Sequence, residues 1–392
     1  MTNNSSGNCF SKEHLQEFER DGCTVIRDFL SIEQVAALRT RTSELLDCFD
    51  PSTHPLTTFE TGTNKDKHIG DKYFFDSSDK MSYFLDEDAA KKGGTLIVDK
   101  QRAVNKIGHG IHICEPLFAQ LTHSDRVKEI VKTMGFQDPR VLQSMVIFKQ
   151  PRTGGAVPLH QDSSFLFTQP PSACGFWIAL EDCTVTNGCL EVIRGSHKYT
   201  PVTRRFVRKS DATVPDGTMF VSIDPVFSLF PPIRDNGQTP NPVSFMSDAK
   251  QAADDCEPLE VSAGSLVLIH GQLLHRSSHN YSDKSRWIYT FHIIDGTYDY
   301  DKHNWLQMPA DKELTKLKTV EDNGEASKTQ VGFTVPGGMK DIGYAIDVAK
   351  DVDMRLPIAE LAYDHLQWVM DNGDPNWDWS SLAFALRKEA QK

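Results

Sequence analysis

The chain has 392 residues, 39% hydrophobic and 24% charged, enough apolar material for one large core domain and an accessory piece. A net charge of -12 gives no broad basic field for phosphate backbones, so no nucleic acid is expected as a partner, and the run Arg204, Arg205, Arg208, Lys209 reads as a solvated face. No apolar run approaches a membrane span, and the eight cysteines are scattered without a CxxC pair, as reduced thiols are. The opening MTNNSSGNCF has neither a basic nor an apolar leader region, and Ala390-Gln391-Lys392 is not an SKL-type address, so a cytoplasmic location is expected.

Ser11 can cap a first helix in which Leu15 and Phe18 share a face, and Asp21-Gly22 stops it. Cys23 to Phe29 alternates and is β-rich. Ser31 to Leu46 returns to helical spacing with a Ser cap and a Glu near the capping-box position. Residues 50–100 are polar, rich in Gly, Asp and Lys, and read as loops with short elements. From about Val141 the texture changes: VLQSMVIFKQ, CGFWIAL, CLEVIRG, GSLVLIHG and RWIYTFHII are short apolar or alternating runs split by turn residues. Strands in succession without intervening helices predict an antiparallel sandwich or barrel. Asn187-Gly188 predicts a hairpin, because Gly accepts the positive φ of a tight primed turn. Residues 200–258 interrupt the strands with a Pro-, Asp- and Ser-rich insertion, long enough for a lid.

After Trp305 the strand pattern ends. Residues 311–335 read as a linker containing the polar run Glu321 to Ser327, and 336–392 as a helical tail with helices over Lys340 to Val352, Ile358 to Met370 and, briefly, Ser380 to Leu386. The organisation expected is a main domain over 1–310 with its core at about 140–297, then linker and tail.

Leu159-His160-Gln161-Asp162 puts an imidazole and a carboxylate two apart, on one face of a strand, where both can reach one metal ion. Alone this pair is weak. It gains force from His275, which follows the run Gly264 to Gly271 and a turn, where a third ligand can return across a barrel. Two histidines and one carboxylate on one face of a metal leave three open positions, as iron(II) oxygenases need and closed structural zinc sites do not. Arg286, 11 residues after His275, opens another strand, and its planar fork suits a carboxylate inside a barrel.

The stretches FERDGCTVIRDFLS, NKIGHGIH, QSMVIFKQP, LHQDSSFLFTQP, FWIALEDCTVTNGCLEVIRGSH and LVLIHGQLLHRSSHNYSDKSRWIYTFHI, in this order over roughly the first 305 residues, resemble the phytanoyl-CoA dioxygenase family. The resemblance implies a mainly β fold, a double-stranded β-helix (jelly roll, cupin-like) with flanking helices. It implies Fe(II) held by His160, Asp162 and His275, with 2-oxoglutarate and O2 as co-substrates and Arg286 as anchor for the distal carboxylate. It further implies co-substrate contacts from Lys106, Met145, Trp177 and Ser277, although Met145 and Trp177 also suit a core and Ser277 a turn. His197, His270, His279 and His292 are read as structural or solvated. Related halogenases lack the carboxylate that is present here as Asp162, so the resemblance favours hydroxylation of a small organic molecule with release of succinate and CO2.

The tail, from GGMKDIGYAIDVAKDV onward, resembles the helical C-terminal part of 3-hydroxyisobutyrate dehydrogenase-like enzymes, yet no GxGxxG opens a nucleotide-binding unit, so it reads as a packing or homodimerisation module. Two other readings stand beside the hydroxylase: a phytanoyl-CoA-type acyl-CoA 2-hydroxylase, and a non-oxygenase metal-binding jelly roll, which would not need Arg286. Phe165, Phe167 and Trp177 near the His160 segment point to an apolar or flat substrate, or equally to core packing.

Overall fold

The computed structural model describes residues 9–55, 57–59, 71–86, 89–91, 95–209, 217–223, 255–317, 335–351 and 355–372. The chain forms two compact units, Met1–Leu317 and Lys318–Lys392.

The first unit opens with helix α1 (Lys12–Asp21), strand β1 (Cys23–Ile26) and helix α2 (Ile32–Asp47). Ser11 caps α1 in a box closed by His14. Ser31 caps α2 in a box closed by Gln34, while Glu33 accepts the Ser31 hydroxyl at 2.7 Å. Next come β2 (Thr58–Phe59), α3 (Lys72–Phe75), β3 (Met81–Asp86), β4 (Ala90–Lys91), β5 (Thr95–Leu96), α4 (Lys100–Ala103), β6 (Val104–His109) and helices α5 (Ile111–Cys114), α6 (Pro116–Thr122) and α7 (Asp125–Thr133). The strand-rich part holds β7 (Pro139–Lys149), β8 (Val157–His160), β9 (Cys174–Ala179), β10 (Leu190–Val192), β11 (Arg204–Arg208), β12 (Thr218–Ser222), β13 (Glu257–Leu259), β14 (Leu266–His270), β15 (His275–Ser277), β16 (Arg286–Asp295) and β17 (Thr315–Lys316).

These strands make a large sheet of order β1-β14-β9-β16-β7-β6-β3-β2, with β17 on β7, and a small sheet of order β13-β10-β15-β8. Along the chain β7, β9, β14 and β16 enter the large sheet, and β8, β10, β13 and β15 the small one, all antiparallel. That alternation between two facing sheets is the jelly roll. The period-2 pattern of β16 decides what goes where. Tyr289, Phe291 and Ile293 face out and join Phe118, Val127 and Ile130 of the helices in one core, where the Tyr289 and Thr122 hydroxyls meet at 2.6 Å. Ile288 faces in, with Ile147 of β7 and Trp177 of β9, against Leu190, Val192 and Leu259 of the small sheet.

The expected hairpin at Asn187-Gly188 is corrected: β9 and β10 on either side of it belong to different sheets, so the segment is a crossover. The local conformation is nevertheless as the residues demand. Gly188 has φ +81, and a Cβ there would stand 2.5 Å from the Ser278 carbonyl oxygen. A left-handed glycine serves a hairpin and a crossover alike, and only the long-range pairing of the strands separates them. Within the 200–258 insertion, β11 and β12 form a hairpin of their own, registered through Phe206 and Phe220; residues 210–216 and 224–254 lie outside the described set.

In the second unit, α8 (Val335–Asp351) and α9 (Pro357–Asn372) pack through Met339, Ile342, Leu366, Val369 and Met370. The short helix expected near Ser380 to Leu386 lies outside the described residues, as does the polar run Glu321 to Ser327.

Candidate metal centre

His160 ends β8 and His275 opens β15, and the two are direct register partners in the small sheet. Their rings are therefore forced together, centroids 4.2 Å apart. Asp162 is not on the strand, as the two-residue spacing predicts, but begins a 3-10 turn, Asp162–Ser164. The turn is tied down from both sides. Ser163 N–H donates to the Gly271 carbonyl at 2.8 Å, and the Gln161 amide donates to the carbonyls of Gln272 (2.7 Å) and Thr200 (2.9 Å).

The result is a convergence of three donors. Oδ1 of Asp162 lies 3.5 Å from His160 Nε2 and 3.6 Å from His275 Nε2, and all three ligand atoms fall within 4.8 Å of one another. Donors sharing one ion at bond lengths of about 2.1 Å are separated by roughly 3 Å, so the set is close to closing on a metal. Each imidazole turns its other nitrogen to a backbone carbonyl: His160 Nδ1 to Pro158 at 2.8 Å, His275 Nδ1 to Leu273 at 3.0 Å. Those contacts place the ring proton on Nδ1 and leave both Nε2 lone pairs free for a metal. Burial and the neighbouring His160 push His275 down to about 4, so it is neutral near pH 7. Burial opposes the charge on Asp162, but the adjacent imidazoles of His275 and His292 outweigh it and hold the carboxyl well below its ordinary range.

The inner face of the large sheet carries buried basic side chains. Arg286 and Lys149 are register partners on β16 and β7, and both are buried. Lys149 is occupied, its Nζ donating to the carbonyls of Gly155 (2.6 Å), Ser277 (3.4 Å) and Ser278 (2.5 Å), while burial and Arg286 lower it to about 6. Arg286 is different: it is 3% exposed, its Nε has no hydrogen-bond partner, and among the described residues no carboxylate lies within ion-pair distance. Trp177 stands beside it, its ring centroid 5.6 Å from the guanidinium carbon. An unmatched buried guanidinium is costly, and a ligand carboxylate is what matches it.

The other sequence-derived residues fall around this face. Lys106 on β6 is the register partner of Ile147 and buried, which pulls its ammonium well below the ordinary value. Met145 and Trp177 are buried and both in register with Thr290 of β16. Ser277 is buried with its hydroxyl donating to the Gly188 carbonyl at 3.1 Å, so it does close the crossover turn. Phe165 stands edge-on to His160, centroids 5.9 Å apart, and meets Phe206 and Phe220 of the β11–β12 hairpin at 5.4 Å each. Phe167 is buried, with Arg205 over its ring.

His292, read from the sequence as structural or solvated, is buried beside the candidate ligands: its Nε2 lies 3.3 Å from Asp162 Oδ2, and its Nδ1 3.3 Å from the Gln143 amide nitrogen. The signal was present in the strand parity, because His292 is an even number of residues from Arg286 on β16 and so faces the same interior.

Fold and family define a jelly-roll oxygenase of the Fe(II)- and 2-oxoglutarate-dependent dioxygenase class, with two histidines and one carboxylate converging at the candidate metal site. The family model described as Phytanoyl-CoA dioxygenase (PhyH) matches residues 18–288, and the chain belongs to that family. It is 39% identical over 316 residues to phytanoyl-CoA dioxygenase domain-containing protein 1 of Bos taurus, covering 79% of this chain and 99% of that one. It is likewise 39% identical over 297 residues to a phytanoyl-CoA dioxygenase of Arabidopsis thaliana, covering 75% and 93%. Among solved structures, the iron-bound crystal structure of EctD from S. alaskensis aligns with 18% identity and a TM-score of 0.47, over 79% of this chain and 84% of that one. No helix among the described residues is long and apolar enough to cross a membrane.

Proposed function

We propose that the protein hydroxylates a small organic molecule, coupling insertion of one oxygen atom of O2 to oxidative decarboxylation of 2-oxoglutarate, which yields succinate and CO2. The observation that carries this reading is the pairing of two features between the same sheets: three converging donors with free lone pairs, and a buried guanidinium with no carboxylate partner among the described residues. A metal-binding jelly roll without oxygenase chemistry has use for the first and none for the second.

His160, Asp162 and His275 would hold Fe(II), with both Nε2 atoms and Oδ1 turned toward one another. The bound iron and keto acid supply the oxidising power for attack on a C–H bond. The chain does the rest. The Pro158 and Leu273 carbonyls fix the imidazole tautomers, and Arg286 receives the distal carboxylate of 2-oxoglutarate. Lys106 adds a buried amine facing the co-substrate, whose carboxylate would favour its protonated form, while Met145, Trp177 and Ser277 shape the slot. Phe165, Phe206 and Phe220 form an aromatic wall beside His160, which suits an apolar or flat substrate. The helices of the second unit serve packing or homodimerisation, which the molar mass of the purified chain in solution tests.

The central test is succinate formation by purified protein supplied with Fe(II), 2-oxoglutarate and O2, alongside screening of metabolites for a 2-oxoglutarate-dependent gain of oxygen. Phytanoyl-CoA belongs in that screen. His160→Ala and Asp162→Ala are expected to abolish succinate production, and unchanged turnover in either would overturn the assignment.

A further inference from the structure

We propose that His292 is a positioning residue for the metal centre: it captures the outer oxygen of Asp162, so that the carboxylate presents a single oxygen to the ion. The inference rests on the reading of His160, Asp162 and His275 as metal ligands.

The two oxygens of Asp162 have separate surroundings. Oδ1 faces the Nε2 atoms of both ligand histidines, at 3.5 and 3.6 Å, whereas Oδ2 faces His292 Nε2 at 3.3 Å. A neutral imidazole has one donor and one acceptor nitrogen. The Gln143 amide nitrogen faces Nδ1 at 3.3 Å and donates to it, which leaves Nε2 as the donor toward Oδ2. The chain of contacts therefore runs from Gln143 through His292 to Asp162.

Backbone register builds this arrangement. His292 on β16 is paired with Gln143 on β7 and with Gly175 on β9. A Cβ at position 175 would stand 3.4 Å from Asp162 Oδ2 and 3.5 Å from His292 Nε2, so a side chain larger than a methyl group would crowd the contact. Asp162 and His292 are both buried, where a hydrogen bond is stronger than in water. A carboxylate with both oxygens free can chelate through both and fill a position that co-substrate or O2 needs. Engaging Oδ2 elsewhere keeps that position open.

The test is an anaerobic Co(II) titration of the full chain, together with the visible band that 2-oxoglutarate produces on the Fe(II) protein. His292→Leu removes the donor at similar volume, and His292→Gln restores a donor. His292→Leu is expected to weaken Co(II) binding by about 10–100-fold and to diminish the band, as loss of an outer-shell partner does, with His292→Gln recovering most of both. The proposal is overturned if folded His292→Leu binds Co(II) like the parent, or if the Leu and Gln variants lose equally. Should His292→Leu not fold, Gln143→Leu decides: weaker Co(II) binding supports the relay, and parental affinity refutes it. A parent protein that binds no Co(II) and shows no band refutes the metal assignment itself, a separate result.

Discussion

The guanidinium carbon of Arg286 lies 5.6 Å from the ring centroid of Trp177, and among the described residues no carboxylate stands within ion-pair distance of it. A cation over an aromatic ring recovers about 2 kcal/mol when desolvated, against several kcal/mol for burying the ion. Burying Arg286 thus costs stability that a bound anion would recover.

Arg286→Met should therefore act in opposite directions on two quantities. Thermal unfolding of the protein without 2-oxoglutarate should show stabilisation of about 1–4 kcal/mol, as when buried ions give way to apolar residues of similar volume. The KM for 2-oxoglutarate should rise by about 10–150-fold, for loss of a charge-assisted bond of about 1.5–3 kcal/mol. A variant less stable than the parent, with unchanged KM, would contradict the carboxylate-anchor role.

Arg286→Lys separates charge from shape. The ammonium keeps the charge but lacks the two-pronged donor geometry. KM for 2-oxoglutarate should fall between the values for the parent and Arg286→Met. Parental KM in the lysine variant would show that a point charge suffices.

Acid should destabilise the fold in a window set by its buried histidines. Burial, and for each a nearby second histidine, lowers His112 and His270 from 6.5 to about 3. Above pH 6.5 both states are neutral and the stability is fully present. As pH falls toward 3 only the unfolded chain takes up these protons, costing about 1.4 kcal/mol per pH unit for each group. Urea unfolding at pH 7.5, 6.5 and 5.5 checks this above the range where carboxylates titrate. A flat profile from 6.5 to 5.5 would show these rings to be protonated in the folded state.

Phe220 reports on the substrate side. Phe220→Ala removes one aromatic pair with Phe165, worth about 0.5–1.5 kcal/mol, so the KM for the oxidised molecule should rise by about 2–12-fold while that for 2-oxoglutarate stays put. An equal change in both constants would place the hairpin's influence on the co-substrate instead.

How far the sequence could be read depended on whether a residue's partner was local. Ser11 and Ser31 signalled their helices because a cap acts within four residues. The ligand triad was legible because a His-x-Asp pair and a later histidine after a strand carry their own chemistry. His292 escaped because its meaning lies in Asp162, 130 residues earlier, and only the register of β16 beside β9 brings them together. The crossover at Gly188 reads locally as a hairpin for the same reason: the glycine fixes the turn, and distant strands fix what the turn connects.

The pairing of β10 with β13 has a consequence for how such an enzyme changes over evolutionary time. Leu190 faces Leu259 and Val192 faces Glu257, so the chain leaves the small sheet after Val192 and rejoins it at the neighbouring strand. The β11–β12 hairpin, with Phe206 and Phe220, lies between those two ends in the chain. Doubling the number of residues between two fixed ends costs only about 0.6 kcal/mol in closure entropy. The stretch between them can therefore be lengthened, shortened or rewritten to suit a new substrate while His160 and His275 keep the strand pairing that sets their spacing.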